Sequence, residues 1–232
     1  DQDARMLGAE LTYALDTHIH ADHVSGVRDV ADATDATAVL PEAADARGVD
    51  YDTSYETVEH GDELDVGDAT IEVIHTPGHT TGMTTYRVGD VLFTGDGLFT
   101  ESVARPDLED PEAAKDAART LYDSLHERVL THDDDAVVAP AHFGDGATTD
   151  DDGTYTAELG DVVDSMDALS MDREAFVEFI VSDMPPQPAN HEEIIATNPG
   201  HEAPRADEAF ELDLGTNNSP ATQAALTESI SA

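Results

Sequence analysis

Four potential metal ligands stand within six residues, His18-Ile19-His20-Ala21-Asp22-His23, directly after the short apolar, β-prone run Leu11-Thr12-Tyr13-Ala14-Leu15. No other feature constrains the fold as much. The run reads as a buried strand that stops at Asp16-Thr17 and opens into a loop. In a β-like stretch His18 and His20 project the same way, because side-chain direction repeats every two residues, so two imidazoles can share one metal. A helical turn beginning near Ala21 swings Asp22 and His23 aside, toward a second neighbouring site. Three further ligand-type residues, His79, Asp96 and His142, each follow the C-terminal end of a predicted strand, as His18 does. Layered α/β folds gather ligands at such strand ends, where loops hold side chains on a rigid scaffold. The pattern therefore calls for a fold in which four strand ends converge on one edge.

The intervening segments supply such a fold. Val27–Ala33 suits a helix, Ala38-Val39-Leu40 a strand, and residues 41–47 a short helix with Pro41 in its first turn. Residues 58–74 read as β structure broken at Gly61-Asp62 and Gly67-Asp68, with Ile71 and Val73 alternating against Glu72. Residues 84–88 and 91–94 flank Gly89-Asp90 as a tight hairpin, and the second strand runs into Gly95-Asp96-Gly97. Asp110 caps a helix with Pro111 at its first position and Ala114, Ala118, Leu121, Leu125 and Val129 at helical spacing. Ala136-Val137-Val138-Ala139 is a buried strand closed by Pro140. Asp172 caps a helix whose face carries Phe176, Phe179 and Ile180, ended by Pro185-Pro186-Gln187-Pro188. From Ala206 onward small and polar residues dominate, so residues 1–205 are expected to form the domain and 206–232 a loosely packed tail.

A chain of 232 residues with 39% hydrophobic residues accommodates one good-sized domain. Its charge is extreme, 52 acidic against 10 basic residues and a net charge of −42. The acids are scattered through nearly every segment, which favours a solvated surface over an acidic interaction arm. Screening shortens from about 10 Å at 0.1 M salt to about 3 Å at 1 M, so molar salt removes most of the self-repulsion, and the chain reads as a halophile's cytoplasmic protein. Nucleic acid and anionic membrane surfaces should repel it. There is no cysteine, which excludes disulfides, thiolate metal sites and cysteine nucleophiles. No apolar run approaches the roughly 20 residues of a membrane span.

Imidazole and carboxylate donors without thiolates suit Zn(II), Fe(II) or Mn(II), and two histidines with one carboxylate form the facial triad of non-haem Fe(II) enzymes. The remaining histidines, His60, His75, His126, His132, His191 and His201, lack this context and read as surface or packing residues. Arg105, one of the ten cations, either pairs with a neighbouring acid or binds an anionic substrate near the metal. Leu121, Tyr122 and Leu125 read as core. Gly95 and Gly97 give the backbone freedom around Asp96 without spelling a phosphate-binding motif.

Thr17-His18-Ile19-His20-Ala21-Asp22-His23, Thr76-Pro77-Gly78-His79-Thr80, Phe93-Thr94-Gly95-Asp96 and Pro140-Ala141-His142 resemble, in order and spacing, the successive metal motifs of the metallo-β-lactamase fold superfamily. The resemblance spans roughly residues 10 to 200. It implies an αββα sandwich with the metal at one edge of two packed sheets. In binuclear members such as type II glyoxalases the matching positions would give one site from His18, His20 and His79, a second from Asp22, His23 and His142, and Asp96 as the bridge. Cysteine-ligand β-lactamases are excluded. The stretches Thr94-Gly95-Asp96 through Ala104-Arg105-Pro106-Asp107-Leu108 and Leu121-Tyr122-Asp123-Ser124-Leu125-His126, with Phe176 to Ile180 and Pro186-Gln187-Pro188-Ala189-Asn190, are most similar to the persulfide dioxygenase (sulfur dioxygenase) branch. That likeness implies a single Fe(II) on His18, His79 and Asp96, with Arg105 meeting the substrate and His20, Asp22, His23 and His142 orienting ligands and solvent. The expected reaction oxidises a low-molecular-weight thiol persulfide with O₂ to sulfite and thiol.

Two departures stand beside the likeness. Family members usually carry an N-terminal strand pair before the first motif, whereas only about ten residues precede Leu11, so the first sheet is expected to lack that pair or the chain to be a fragment. Some glutathione-using members place a tyrosine shortly after the last motif histidine, where this chain has Phe143-Gly144-Asp145, which leaves the thiol carrier open. A binuclear Zn(II) hydrolase of thioesters or lactones is the alternative enzyme, and a metal-binding module without activity the alternative to an enzyme. Relatives are often fused to rhodanese domains; a rhodanese-type sulfurtransferase and a second copy of the chain both stand as admissible partners.

Overall fold

The computed structural model describes residues 2–144, 146–150, 152–182, 184, 187, 190–202 and 204–214. It is a mixed α/β structure with two separate sheets, and its contacts divide the chain into two compact units, Asp1–Val58 with Pro188–Ala232, and Glu59–Gln187. No described helix is long and apolar enough to cross a membrane.

The first unit opens with helix α1 (Gln2–Leu7) and holds a parallel sheet of β1 (Tyr13–Leu15), β2 (Thr37–Pro41) and β3 (Tyr55–Val58), in that order. Parallel neighbours need a crossover, and α2 (Val27–Ala33) and α3 (Ala43–Ala46) provide them. β2 lies between two neighbours and is correspondingly apolar, with Ala38, Val39 and Leu40 fully buried. Ile19, Val27, Ala38, Leu40 and Ala44 form the small core beneath the helices. Two expectations are corrected here. Pro41 ends β2, paired with Val58, instead of opening a helix. β1 is only half-buried along its length because it is a short strand at the edge of the sheet. Among the described residues no strand precedes it.

The C-terminal part of the first unit contributes α7 (His191–Thr197) and α8 (Ala206–Leu214). Tails of small and acidic residues look alike by composition, yet residues 206–214 wind a helix; residues 215–232 lie outside the described set. α7 is anchored by Ile194, which is fully buried. Beyond it, Asp50 N donates to Pro199 O at 2.7 Å and the Tyr51 hydroxyl to Asn198 O at 2.8 Å. Gly200 (φ +95°) closes this contact, and a Cβ there would lie 2.5 Å from Asp50 O, so only glycine fits.

The second unit is built on a six-stranded sheet, β4 (Glu63–Val66), β5 (Ala69–His75), β6 (Thr84–Val88), β7 (Val91–Gly95), β8 (Val137–Pro140) and β9 (Ala157–Glu158), in sequence order. All neighbours are antiparallel except β7 and β8. Ile71 and Val73 are buried while Glu72 is exposed, the alternation read from the sequence. The crossover from β7 to β8 carries α4 (Ala114–Ser124), entered through a single 3-10 turn in which the Asp110 side chain accepts from Glu112 N. Its last turn widens over residues 125–129, where Leu130 N donates to Leu125 O. That widening keeps Leu125 and Val129 in the core with Leu121.

α5 (Leu159–Ser165) follows β9, and α6 (Arg173–Ser182) packs along α4, with Asp172 capping it through Ala175 N at 3.1 Å. Phe176 is fully buried and meets Tyr122 edge-on, but Phe179 is 54% exposed. The buried stripe of α6 is centred on Phe176 and Val177, so the expected three-residue face is narrower than its periodicity suggested. The expected stop at Pro185, Pro186 and Pro188 falls outside the described residues.

Candidate metal centre

In the second unit, β5 and β7 run in the same direction because each is antiparallel to β6, and β8 is parallel to β7. Their C-terminal ends therefore share one edge of the sheet, and His79, Asp96 and His142 follow those three ends. The loop after β5 is fixed by Gly78 (φ +140°), which is packed directly on Leu121 of α4, and by the Ser124 hydroxyl, which donates to Pro77 O at 2.7 Å. After β7, Gly95 takes φ +53° and the ladder with β8 shifts register between Phe93 and Gly95. The chain turns there to present Asp96, and Ala141 N donates to Gly95 O at 3.0 Å, tying the His142 loop alongside.

Asp96 is 3% exposed and lies between two imidazoles. His79 Nε2 is 3.6 Å from Asp96 Oδ2 and His142 Nδ1 is 3.3 Å from Oδ1. His79 Nδ1 donates to the backbone carbonyl of Arg105 at 2.9 Å, which fixes the tautomer and turns the Nε2 lone pair outward as a ligand. A buried carboxylate is costly without a compensating cation, and a divalent metal is the cation that this donor set suits.

Arg105 itself spends its fork on Asp107, with Nε to Oδ1 and one terminal nitrogen to Oδ2, both at 2.8 Å. The pair is largely buried. The neighbouring acid that sequence reasoning allowed is thus present, and the Arg105 carbonyl adds a task that no side-chain reading foresaw.

In the first unit the loop after β1 packs its imidazoles against one another. The rings of His18 and His20 are 4.0 Å apart and those of His20 and His23 3.8 Å. Asp22 Oδ1 is 3.2 Å from His23 Nδ1. One ligand atom from each of His20, Asp22 and His23 falls within 4.8 Å of the others, close enough for three donors to meet one cation. The loop brings together all four residues that the sequence singled out here.

Three residues of this loop's support were not anticipated. Asp16 lies at its start, and burial pushes its carboxyl up to about 6, with the Ser25 hydroxyl and His23 pulling back. The Ser25 Oγ sits 2.9 and 2.7 Å from the two Asp16 oxygens, bracing the two ends of the loop. Asn198, 2% exposed, reaches in from beyond α7. Its Oδ1 accepts from Ser25 N at 2.8 Å and its Nδ2 donates to the carbonyls of His20 and His23, both at 2.9 Å.

Exposure grades the seven ligand-type residues. His18 is fully buried, and the side chains of His20, His79 and Asp96 are 6, 4 and 4% exposed. Asp22, His142 and His23 reach 24, 36 and 41%. Three of the remaining histidines behave as packing residues: His126 meets the carbonyls of Tyr122 and Leu169, His75 that of Thr81, and His201 that of Gly48.

Comparison with known proteins bears on the family. The persulfide dioxygenase ETHE1, mitochondrial, of Homo sapiens is 33% identical over 148 residues, covering 61% of this chain and 53% of that protein. The chain thus spans about half the length of that relative. A hydroxyacylglutathione hydrolase of Erythrobacter litoralis is 29% identical over 161 residues, 67% of this chain and 62% of that protein. Among solved structures, ETHE1 from Myxococcus xanthus aligns with a TM-score of 0.69 and 27% identity over 90% of this chain and 81% of that one. A family profile described as the Metallo-beta-lactamase superfamily matches residues 2–142, more than half of the sequence, and the chain belongs to that superfamily.

Proposed function

We propose that the protein is a mononuclear Fe(II) persulfide dioxygenase that converts a low-molecular-weight thiol persulfide, O₂ and water to the free thiol and sulfite, with release of two protons. His18, His79 and Asp96 would hold the iron. The observation that supports this reading is the grading of exposure: His18, His79 and Asp96 are buried at 4% or less, with His20 beside them at 6%, whereas Asp22, His23 and His142 are several-fold more exposed. The named similarity to ETHE1 persulfide dioxygenases points the same way.

Fe(II) bound by two imidazoles and a carboxylate supplies open coordination positions and redox chemistry for an oxidation by O₂. The chain's own residues do the rest. The Arg105 carbonyl holds His79 in the ligating tautomer. Asp107 fixes the plane of the Arg105 guanidinium, and that cation would meet the anionic persulfide in a protein whose net charge of −42 otherwise repels it. His20 would hold its place beside His18 through ring packing, and His142 and His23 would orient solvent at the more exposed side.

The binuclear alternative has one specific observation in its favour. The two oxygens of Asp96 face different imidazoles, Oδ2 toward His79 and Oδ1 toward His142, as a bridging carboxylate between two zinc ions would require. The hydroxyacylglutathione hydrolase relative belongs with that reading.

Protein reconstituted anaerobically with Fe(II) in molar KCl, and mixed with glutathione persulfide or cysteine persulfide, should consume O₂ and release sulfite and thiol with about one iron per chain. Absence of persulfide-dependent O₂ uptake, together with two zincs per chain and thioester hydrolysis, would establish the alternative.

A further inference from the structure

We infer that Asn198 is a positioning residue for the metal-ligand loop, so that metal binding at His18–His23 and the order of the segment just beyond α7 are coupled. The inference concerns metal binding and stands or falls independently of which reaction the centre performs.

Asn198 lies 178 residues from His20 and 175 from His23 along the chain, yet its amide grips the backbone on both sides of Asp22. Nδ2 donates to the His20 and His23 carbonyls at 2.9 Å, and Oδ1 accepts from Ser25 N at 2.8 Å. Only a primary amide offers two donors and an acceptor from one planar group. Bonds to residues 20, 23 and 25 fix the turn that carries three of the ligand-type side chains, and so set where the His20, Asp22 and His23 ligand atoms fall.

The far side of Asn198 is held equally firmly. Tyr51 donates to its carbonyl, Asp50 N donates to Pro199 O, Arg28 donates to Thr197 O at 3.3 Å, and the Arg28 guanidinium lies 5.1 Å over the Tyr51 ring. Burial and the nearby Asp16 push the Tyr51 phenol upward, so it remains a donor at all physiological pH. With Gly200 seated on Asp50, residues 197–200 form a strut between the loop at 50–51 and the ligand loop. A ligand loop held from behind by a buried amide that makes three bonds is preorganised for metal, as an unsupported loop is not.

Asn198→Asp keeps the shape and the acceptor but removes both donors and sets charge against two carbonyls; Asn198→Ser shortens the group. Asn190→Ala is the control, since the Asn190 amide donates to Leu212 O at 2.9 Å, in helix α8 and not in the ligand loop. Each apo protein is titrated in molar KCl with Co(II) alone, reading affinity and the visible ligand-field spectrum. Both Asn198 variants should bind Co(II) about 10- to 100-fold more weakly with an altered spectrum, while Asn190→Ala keeps wild-type affinity and spectrum even where its Tm falls. Wild-type affinity and spectrum in the Asn198 variants would overturn the inference. Hydrogen exchange on the wild type gives an answer even where a variant does not fold. Co(II) should slow amide exchange at Thr197, Asn198 and Gly200 together with residues 18–25, and protection of the loop without the strut would also overturn it.

Discussion

Gly78 is packed so closely on Leu121 of α4 that a Cβ on Gly78 would overlap the Leu121 Cα and Cβ atoms, and its φ of +140° suits glycine alone. The residue next in sequence is His79. Helix α4 and a ligand loop are therefore in backbone contact at a position where any side chain would drive them apart. Gly78→Ala should lower stability by about 2–5 kcal/mol, combining strained backbone with overpacking. It should also loosen the His79 Nδ1 bond to the Arg105 carbonyl. Thermal unfolding and metal affinity measured on the same sample check this; a variant with unchanged Tm would show that the contact yields freely.

The Arg105–Asp107 fork makes a second test. Asp107 is 6% exposed and accepts two bonds from the guanidinium. Asp107→Asn removes the charge and one acceptor, and should cost about 1.5–3 kcal/mol, the range for bonds to charged groups. Under the proposed function it should also raise KM for the persulfide about tenfold. Arg105→Lys retains charge but not the fork, and should raise KM similarly while also lowering stability, because the buried Asp107 loses its paired bonds. Steady-state kinetics on both variants decide; wild-type KM in each would remove Arg105 from substrate binding.

What the sequence revealed and what it hid divides along local lines. The Gly89-Asp90 hairpin was legible because turn chemistry and two-residue alternation both lie within a dozen residues, and the strands formed at Thr84–Val88 and Val91–Gly95. The ligand-type residues were legible because each follows a strand end, a pattern that sequence order alone displays. Pro41 misled because its fixed φ suits a helix start and a strand end alike, and the pairing of β2 with β3 decided for the strand. Phe179 misled because three-residue spacing places it near Phe176 without saying how wide the buried stripe is. The 3-10 entry and widened exit of α4 depend on what the helix packs against. Asn198 was invisible for the plainest reason: its partners are 173 to 178 residues away, and nothing in Asn-Pro-Gly distinguishes a turn from a strut.

Asp150 offers a pH test remote from the ligands. Its carboxylate accepts four bonds, from Asp152 N, Thr154 N, and the Thr154 and Thr156 hydroxyls. These donors, the Thr154 hydroxyl foremost, draw its pKa down from 3.8 to about 2. A depressed folded pKa means that the turn gains stability above the unfolded value of 3.8 and loses it as pH falls through about 2. Carboxyl carbon NMR in high salt should show Asp150 titrating well below its neighbours. Thr154→Val with Thr156→Val should return it toward 3.8; an ordinary midpoint in the wild type would show that the hydroxyls bond elsewhere.

Removing the metal should cost stability in proportion to its affinity. Asp96 is buried between His79 and His142, and a buried carboxylate is costly without a compensating cation. Ligand that binds only the folded chain stabilises it by about 2.7 kcal/mol at a hundredfold excess over Kd, which for a chain of this size is a Tm change of roughly 5–10 °C. Exhaustive chelation in molar KCl should therefore lower Tm by that amount, and anaerobic Fe(II) should restore it. Asp96→Ala removes both the ligand and the buried charge, so its Tm should respond to neither treatment. If metal analysis shows the wild-type protein stripped and its Tm is unmoved, the buried Asp96 is stabilised by the protein alone and the case for a metal held there fails.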